Sequence, residues 1–225
     1  MPARLRPTAP IAPDAILVGD PGRALLLAQE LLDKPKMSNH ARGLWGYSGA
    51  TAAGDALTIQ ATGMGGPSAA MVLTDLAELG VERAVRVGTC IGFEPARPGE
   101  LLLPTEAIAA TGSAAAFGLA SGDSVQPDAS LLDGLTTELG SEARACPVVS
   151  FDLLPPDRAP ADVVAADMQT LAVFARSREL GLVAAAVLIA SEADGKQLGD
   201  DELESSAKRA GQAAANALSK LQLEG

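Results

Sequence analysis

The sequence predicts an α/β fold in one domain, residues 1–225, with a central mixed, mostly parallel sheet flanked by helices. Three observations lead there. Short apolar runs at 15–18, 57–61, 84–87 and 183–190 alternate with stretches of helical period. Glycine turns at 19–22 and 63–66 stand where a strand would pass into a helix. The run 183–190 is continuously apolar, as expected of a strand covered on both faces. With 225 residues, 48% of them hydrophobic and 20% charged, the chain can bury a substantial core. It shows no internal repeat and no second domain.

Each element follows from local chemistry. Residues 1–14 carry Pro2, Pro7, Pro10 and Pro13 and read as an extended arm. The strand at 15–18 runs into Gly19-Asp20-Pro21-Gly22-Arg23, with Asp20 as N-cap and Pro21 at the first position of a helix over 25–32. Residues 34–39 read as a polar connection. Gly43, Gly46 and Gly49 around Trp45 and Tyr47 suggest a hairpin over 44–53, and Gly54-Asp55 marks a turn. The strand 57–61 meets the turn at Gly63, Gly65 and Gly66, and Pro67 opens a helix whose Ala70, Leu73, Leu76, Ala77 and Leu79 share a face. Gly80 stops that helix, and 84–87 returns to the sheet, completing a right-handed βαβ unit.

Farther along, 95–99 is a loop, 101–103 and 107–111 are two strands, and 111–125 has no assignable structure. Pro127-Asp128 starts a helix to 139, 147–151 is a strand and 152–158 a loop. A strand at 163–168 leads into a helix over 171–180, ended by Gly181. The last helix, 201–221, shows an apolar face of Leu203, Ala207, Ala210, Ala214, Leu218 and Leu221.

Composition excludes several function classes. A net charge of −11 argues against a nucleic-acid surface but not against a local phosphate pocket. Cys90 and Cys146 make neither a disulfide framework nor a metal set, so no metal site is expected. The single histidine, His40, leaves little room for a serine–histidine triad. No apolar run is long enough to span a bilayer and no signal peptide is visible, so a soluble cytoplasmic protein is expected.

Three polar clusters stand at strand ends: 19–23, 86–89 and 191–194. In open α/β sheets ligands bind at such carboxyl ends. Arg86 sits among valines, where a cation needs an anion. Two readings stand. Arg23, Arg86, Thr89 and a helix N-terminus suit an oxyanion such as phosphate. Alternatively, Arg86 pairs with Asp20 or Glu106 as a structural ion pair.

GDPGR at 19–23, ATGMGGPS at 61–68, ELGVERAVRVGTCIG at 78–92 and DMQT at 167–170 resemble the nucleoside phosphorylase family, the group of hexameric purine nucleoside phosphorylases and uridine phosphorylases. The resemblance is close over 15–92, weaker over 93–160 and partial over 165–195. It implies a three-layer phosphorylase/hydrolase-like fold and a phosphate site of Gly19, Arg23, Arg86 and Thr89. It also implies that Arg42 is donated across a dimer interface, within a dimer-based hexamer. Met64, Met168 and Gln169 fall at the ribose positions. Glu192 or Asp194 would be the acid at the base.

The implied reaction is phosphorolysis: nucleoside and phosphate give pentose 1-phosphate and free base. Inorganic phosphate is the co-substrate and no cofactor is needed. Purine is slightly favoured over uridine because an acid follows Ser191. Departures matter too. Gln169 stands where the family has a glutamate on the ribose hydroxyls, so a glutamate there is expected to raise activity. An arm histidine is missing, an aromatic near the base is replaced by Leu153 or Leu154, and the stretch 155–168 is short. These support an alternative, a non-catalytic relative that binds a nucleotide, sugar phosphate or partner protein.

Overall fold

The structure is a computed structural model describing residues 4–153 and 163–223. Residues 4–12 lie against their own chain. The Arg4 and Leu5 N–H groups donate to the buried Asp75 carboxylate at 2.6 and 2.8 Å, and the Arg6 N–H donates to Asn39 Oδ1 at 2.9 Å. Leu5 is fully buried, which fixes the expected arm in place.

β1 (Asp14–Val18) enters α1 (Pro21–Leu31) through Asp20, whose carboxylate accepts from the Arg23 N–H at 2.8 Å as the expected N-cap. Next comes β2 (Leu32–Asn39), a strand where a polar connection was expected. Its polar, half-exposed sequence hides a pairing with β3 (Gly46–Thr51), which in turn pairs with β4 (Ala56–Ala61). An edge strand with one wet side keeps little apolar signal. Gly63 and Gly65 then take φ of +73° and +80°, the turn into α2 (Gly66–Glu78).

β5 (Arg83–Gly92) runs well beyond the expected strand end at 87. β6 (Leu101–Ala110) is one strand rather than two, with an irregularity in register between Pro104 and Glu106. The unassigned stretch after it holds a 3-10 turn (Gly112–Phe117) and β7 (Ser124–Val125). Then follow α3 (Ala129–Leu139), β8 (Ala143–Phe151), β9 (Ala165–Asp167), α4 (Thr170–Leu180), β10 (Val183–Ala193), β11 (Lys196–Gln197) and α5 (Asp200–Leu223).

The sheet is mixed, and its longest ladders, β10 with β5 and β6 with β8, are parallel. β10 pairs with both β5 and β6, while β6, β8, β9 and β5 follow one another, so five strands close on themselves. β1, β4, β3 and β2 extend outward from β5. Helices cover both faces. α1, α3 and α5 pack with Val85, Val87 and Val187 in one core. α2 and α4 pack with Ala84, Cys90 and Leu188 in the other. Three layers result, as expected. Among the described residues no helix is long and apolar enough to cross a membrane, and no group of three or more potential metal ligands occurs.

Candidate active site

β1, β4, β5 and β10 are parallel, so their carboxyl ends face one way. β1 pairs with β5 only as far as Leu17 opposite Arg86. β9 joins the same side of β5 at Ile91 and Gly92, running antiparallel. Between the two ladders β5 leaves a gap at residues 87–90. Gly19 follows β1 at one edge of this gap, and at the other Asp167 ends β9, with Met168 and Gln169 just after it. Such a break between neighbouring strands is where an open sheet admits a ligand.

Arg86 lies beside the gap, buried with only 4% exposure. Its partner is Asp167, not Asp20 or Glu106. Nη2 reaches Asp167 Oδ2 at 2.9 Å, and Nε approaches the same oxygen and Thr170 Oγ1 at 3.3 Å each. The carboxylate is held in turn by Ser150 Oγ at 2.6 Å, the Thr170 N–H at 2.9 Å and Thr170 Oγ1 at 2.6 Å. A buried ion pair survives only when its remaining lone pairs are met in this way. Arg86 Nη1 donates to Gln169 Oε1 at 2.8 Å. A guanidinium has five N–H groups. These contacts use one on each nitrogen, and the other two have no partner among the described residues. The folded-over side chain needs Gly88, because a Cβ there would collide with the Arg86 guanidinium.

Arg23 is the contrasting cation. It is half-buried on the first turn of α1, and its guanidinium makes no ion pair or hydrogen bond among the described residues. Burial lowers its pKa; Asp20 opposes that shift, and the positive charge of Arg86 adds to it. Each arginine therefore feels the other's charge and that of a carboxylate, but only Arg86 is hydrogen-bonded to its carboxylate.

Thr89 is half-buried, and its hydroxyl has no partner among the described residues. Alternation along β5 gives Arg86 the face of Ala84 and Cys90, and Thr89 the face of Val85 and Val87, which α5 covers. Arg42 is exposed at φ +60° in the turn Ala41–Gly43, which Asn39 and Gln60 hold through the Leu44 carbonyl. That turn rests on the glycine turn: Leu44 Cδ2 is 3.3 Å from where a Cβ on Gly63 would sit.

The other expected residues spread more widely. Met64 is 86% exposed, Met168 is half-buried and Gln169 is buried. Glu192 is half-buried near the end of β10, with Cα in register with Ile91 and Gln197. Asp194 and Gly195, at φ +51° and +68°, form the two-residue hairpin between β10 and β11, which gives Asp194 a turn role. Leu153 is exposed; Leu154 and the rest of the short stretch to 162 lie outside the described residues.

Sequence reading missed Asp167, Thr170 and Ser150. The signal was present, since Asp167 belongs to the DMQT motif. Its meaning was not, because Asp167 and Arg86 meet across 81 residues of chain.

Residues 13–154 match the family model described as the Phosphorylase superfamily. Over 81 residues the chain is 42% identical to the DeoD-type purine nucleoside phosphorylase of Oceanobacillus iheyensis, covering 36% of this chain and 34% of that one. Over 86 residues it is 38% identical to the DeoD-type enzyme of Caldanaerobacter subterraneus subsp. tengcongensis, 38% of this chain and 37% of that one. The match thus spans about a third of the length of these relatives. Purine nucleoside phosphorylase from Toxoplasma gondii, in complex with immucillin-H, superposes with a TM-score of 0.81 at 19% identity, covering 94% of this chain and 93% of that one. Uridine phosphorylase from Vibrio fischeri ES114, complexed with 6-hydroxy-1-naphthoic acid, gives 0.79 at 23% identity, with 94% and 91% covered. At these identities the two structures establish the fold.

Proposed function

The chain belongs to the phosphorylase superfamily, and from that premise we propose that it is a nucleoside phosphorylase, cleaving the N-glycosidic bond with inorganic phosphate. The observation that carries the reading is the convergence of Arg23, on the first turn of α1, and the buried Arg86 on the gap between β1 and β9, the Arg23 guanidinium making no hydrogen bond among the described residues. Arg23, Gly19, Thr89 and the two remaining N–H groups of Arg86 would bind phosphate. Arg42 of a second copy would complete the site, within a dimer-based hexamer. No cofactor is required, because phosphate itself is the nucleophile.

A phosphate oxygen attacks the anomeric carbon as the carbon–nitrogen bond breaks, and the bonding electron pair leaves with the base. The transition state is oxocarbenium-like. The arginines place the anion below it, and the anion's charge offsets the developing cation. Glu192 is the candidate acid that hands a proton to the departing base. It stands after Ser191, which favours a purine, and Asp194 is the second candidate.

The test is base release from a panel of purine and pyrimidine nucleosides, with and without phosphate. Release that depends on phosphate, together with equal amounts of pentose 1-phosphate, is expected. Phosphate-independent release would replace this reading with a hydrolytic one. The occupied amide of Gln169 favours a second reading, a phosphate-binding relative without turnover. Phosphate binding with no release from any nucleoside would select it.

A further inference from the structure

Two buried carboxamides converge on one backbone oxygen beside the turn that carries Arg42. Asn39 Nδ2 donates to the Leu44 carbonyl and approaches the Ala41 carbonyl at 3.4 Å. Gln60 Nε2 donates to the same Leu44 carbonyl at 2.9 Å and to the Ala61 carbonyl at 2.8 Å. Both side chains are buried. Asn39 Oδ1 accepts the Arg6 N–H at 2.9 Å, and the Thr8 N–H donates to the Ser38 carbonyl at 2.8 Å. The arm thus lies along the end of β2 and fixes which way the Asn39 amide points. Gly46 makes room for Gln60, since a Cβ there would collide with its carboxamide.

The turn these amides hold is a costly one. Arg42 has φ +60°, a left-handed conformation that a residue other than glycine keeps only where its surroundings impose it. Yet its side chain is exposed, and its guanidinium makes no hydrogen bond or ion pair among the described residues. Two desolvated amides therefore set the direction of a cation that has no polar partner in the described part of its own chain. Rigid support of that kind is what a functional side chain needs when its ligand comes from outside.

We propose that Asn39 and Gln60 are positioning residues for the anion site: they clamp the Leu44 carbonyl and so aim Arg42 at the phosphate of a second copy. This rests on the reading above that Arg42 completes a neighbouring site. An arginine on a preset turn loses little freedom when it meets the anion, so the clamp acts on phosphate affinity through Arg42 alone. Asn39→Leu is close in size, removes both donors and adds no charge near the anion. Gln60→Met does the same for the second amide.

The experiment is phosphate titration calorimetry in a double-mutant cycle of Asn39→Leu with Arg42→Ala. Arg42→Ala should weaken phosphate about tenfold or more, the loss expected when a hydrogen bond to a charged group goes. Asn39→Leu alone should weaken it about fivefold, the cost of ordering one freed side chain. In the Arg42→Ala background it should add less than about twofold. Should Asn39→Leu not fold, Gln60→Met takes its place in the same cycle, with a loss of about threefold alone.

Equal losses in the two backgrounds would overturn the positioning role, because a merely structural residue weakens binding whether or not Arg42 is present. Unchanged affinity in the single variant would overturn it as well. If Arg42→Ala binds phosphate as wild type does, the assignment of Arg42 falls and the clamp's role with it, while the wild-type binding leaves the rest of the site standing. A wild type that binds no phosphate overturns both.

Discussion

The two ends of the candidate site are built differently. At the arginine end the polar groups of Arg86, Asp167, Gln169, Thr170 and Ser150 meet one another within one buried cluster. At the other end Glu192 is half-buried, Asp194 is an exposed turn residue and Met64 is almost fully exposed. The first end is organised before any ligand arrives, so its charges need little reorganisation when an anion binds. The second is left to solvent in the single chain. The difference separates the two tasks of the proposed reaction. In the proposed reaction most of the anion site would be organised within one subunit, with Arg42 of a second copy completing it, while the sugar and base side would draw on exposed surface and on whatever covers it.

The strongest way to break this contrast is to remove the carboxylate that organises the buried end. Asp167→Ala leaves Arg86 buried and unpaired and should lower unfolding free energy by about 3–5 kcal/mol, read from urea denaturation. Asp167→Asn, which keeps an acceptor, should cost less. A loss within about 0.5 kcal/mol for Asp167→Ala, the range of ordinary surface changes, would mean that the pair does not organise this end.

Arg23 tests the same contrast from the ligand side. Arg23→Ala should weaken phosphate at least about 30-fold, measured by calorimetry. Its stability should be unchanged within about 0.5 kcal/mol, because its guanidinium makes no ion pair or hydrogen bond among the described residues. Equal losses in stability and affinity would erase the distinction between the two arginines.

The smallest effect sharpens how dry the interior of the sheet is. Burial raises the Cys90 thiol well above its ordinary value, with Asp167 adding to the shift, and raises Cys146 to about 11 from 9.0. The unfolded thiols ionise first as pH rises, so the unfolded state holds fewer protons above pH 9.0. Stability is therefore full below that pH and falls as pH climbs toward the folded value. At pH 10 the Cys146 contribution is a loss of about 1 kcal/mol relative to neutral pH. Denaturation curves of wild type and Cys146→Ala across this range should diverge by that amount. Parallel curves would show that water reaches the thiol.

Much of the fold was legible because its signals are local. The capped start of α1, the glycine turn before α2 and the apolar run of β10 each depend on a few neighbouring residues. β2 was not legible, since a wet edge strand shows no apolar alternation. The full length of β5 was not legible either, because its second half exists only where β9 and β10 pair with it. The site divides in the same way. The GDPGR loop and the arginine in RVGT pointed to an anion, and the resemblance named its chemistry.

By itself, the sequence determined that a cation would be buried at residue 86 and that glycines would bend the chain beside it, since valine neighbours and positive-φ turns are encoded within a few residues. Only the tertiary structure decided what answers that cation. β9 returns antiparallel to β5, which carries Asp167 and Gln169 back to Arg86 from the far side of the chain. A charge can be read from one residue, but its partner depends on which distant strands share an edge, and that is settled by packing the whole sheet.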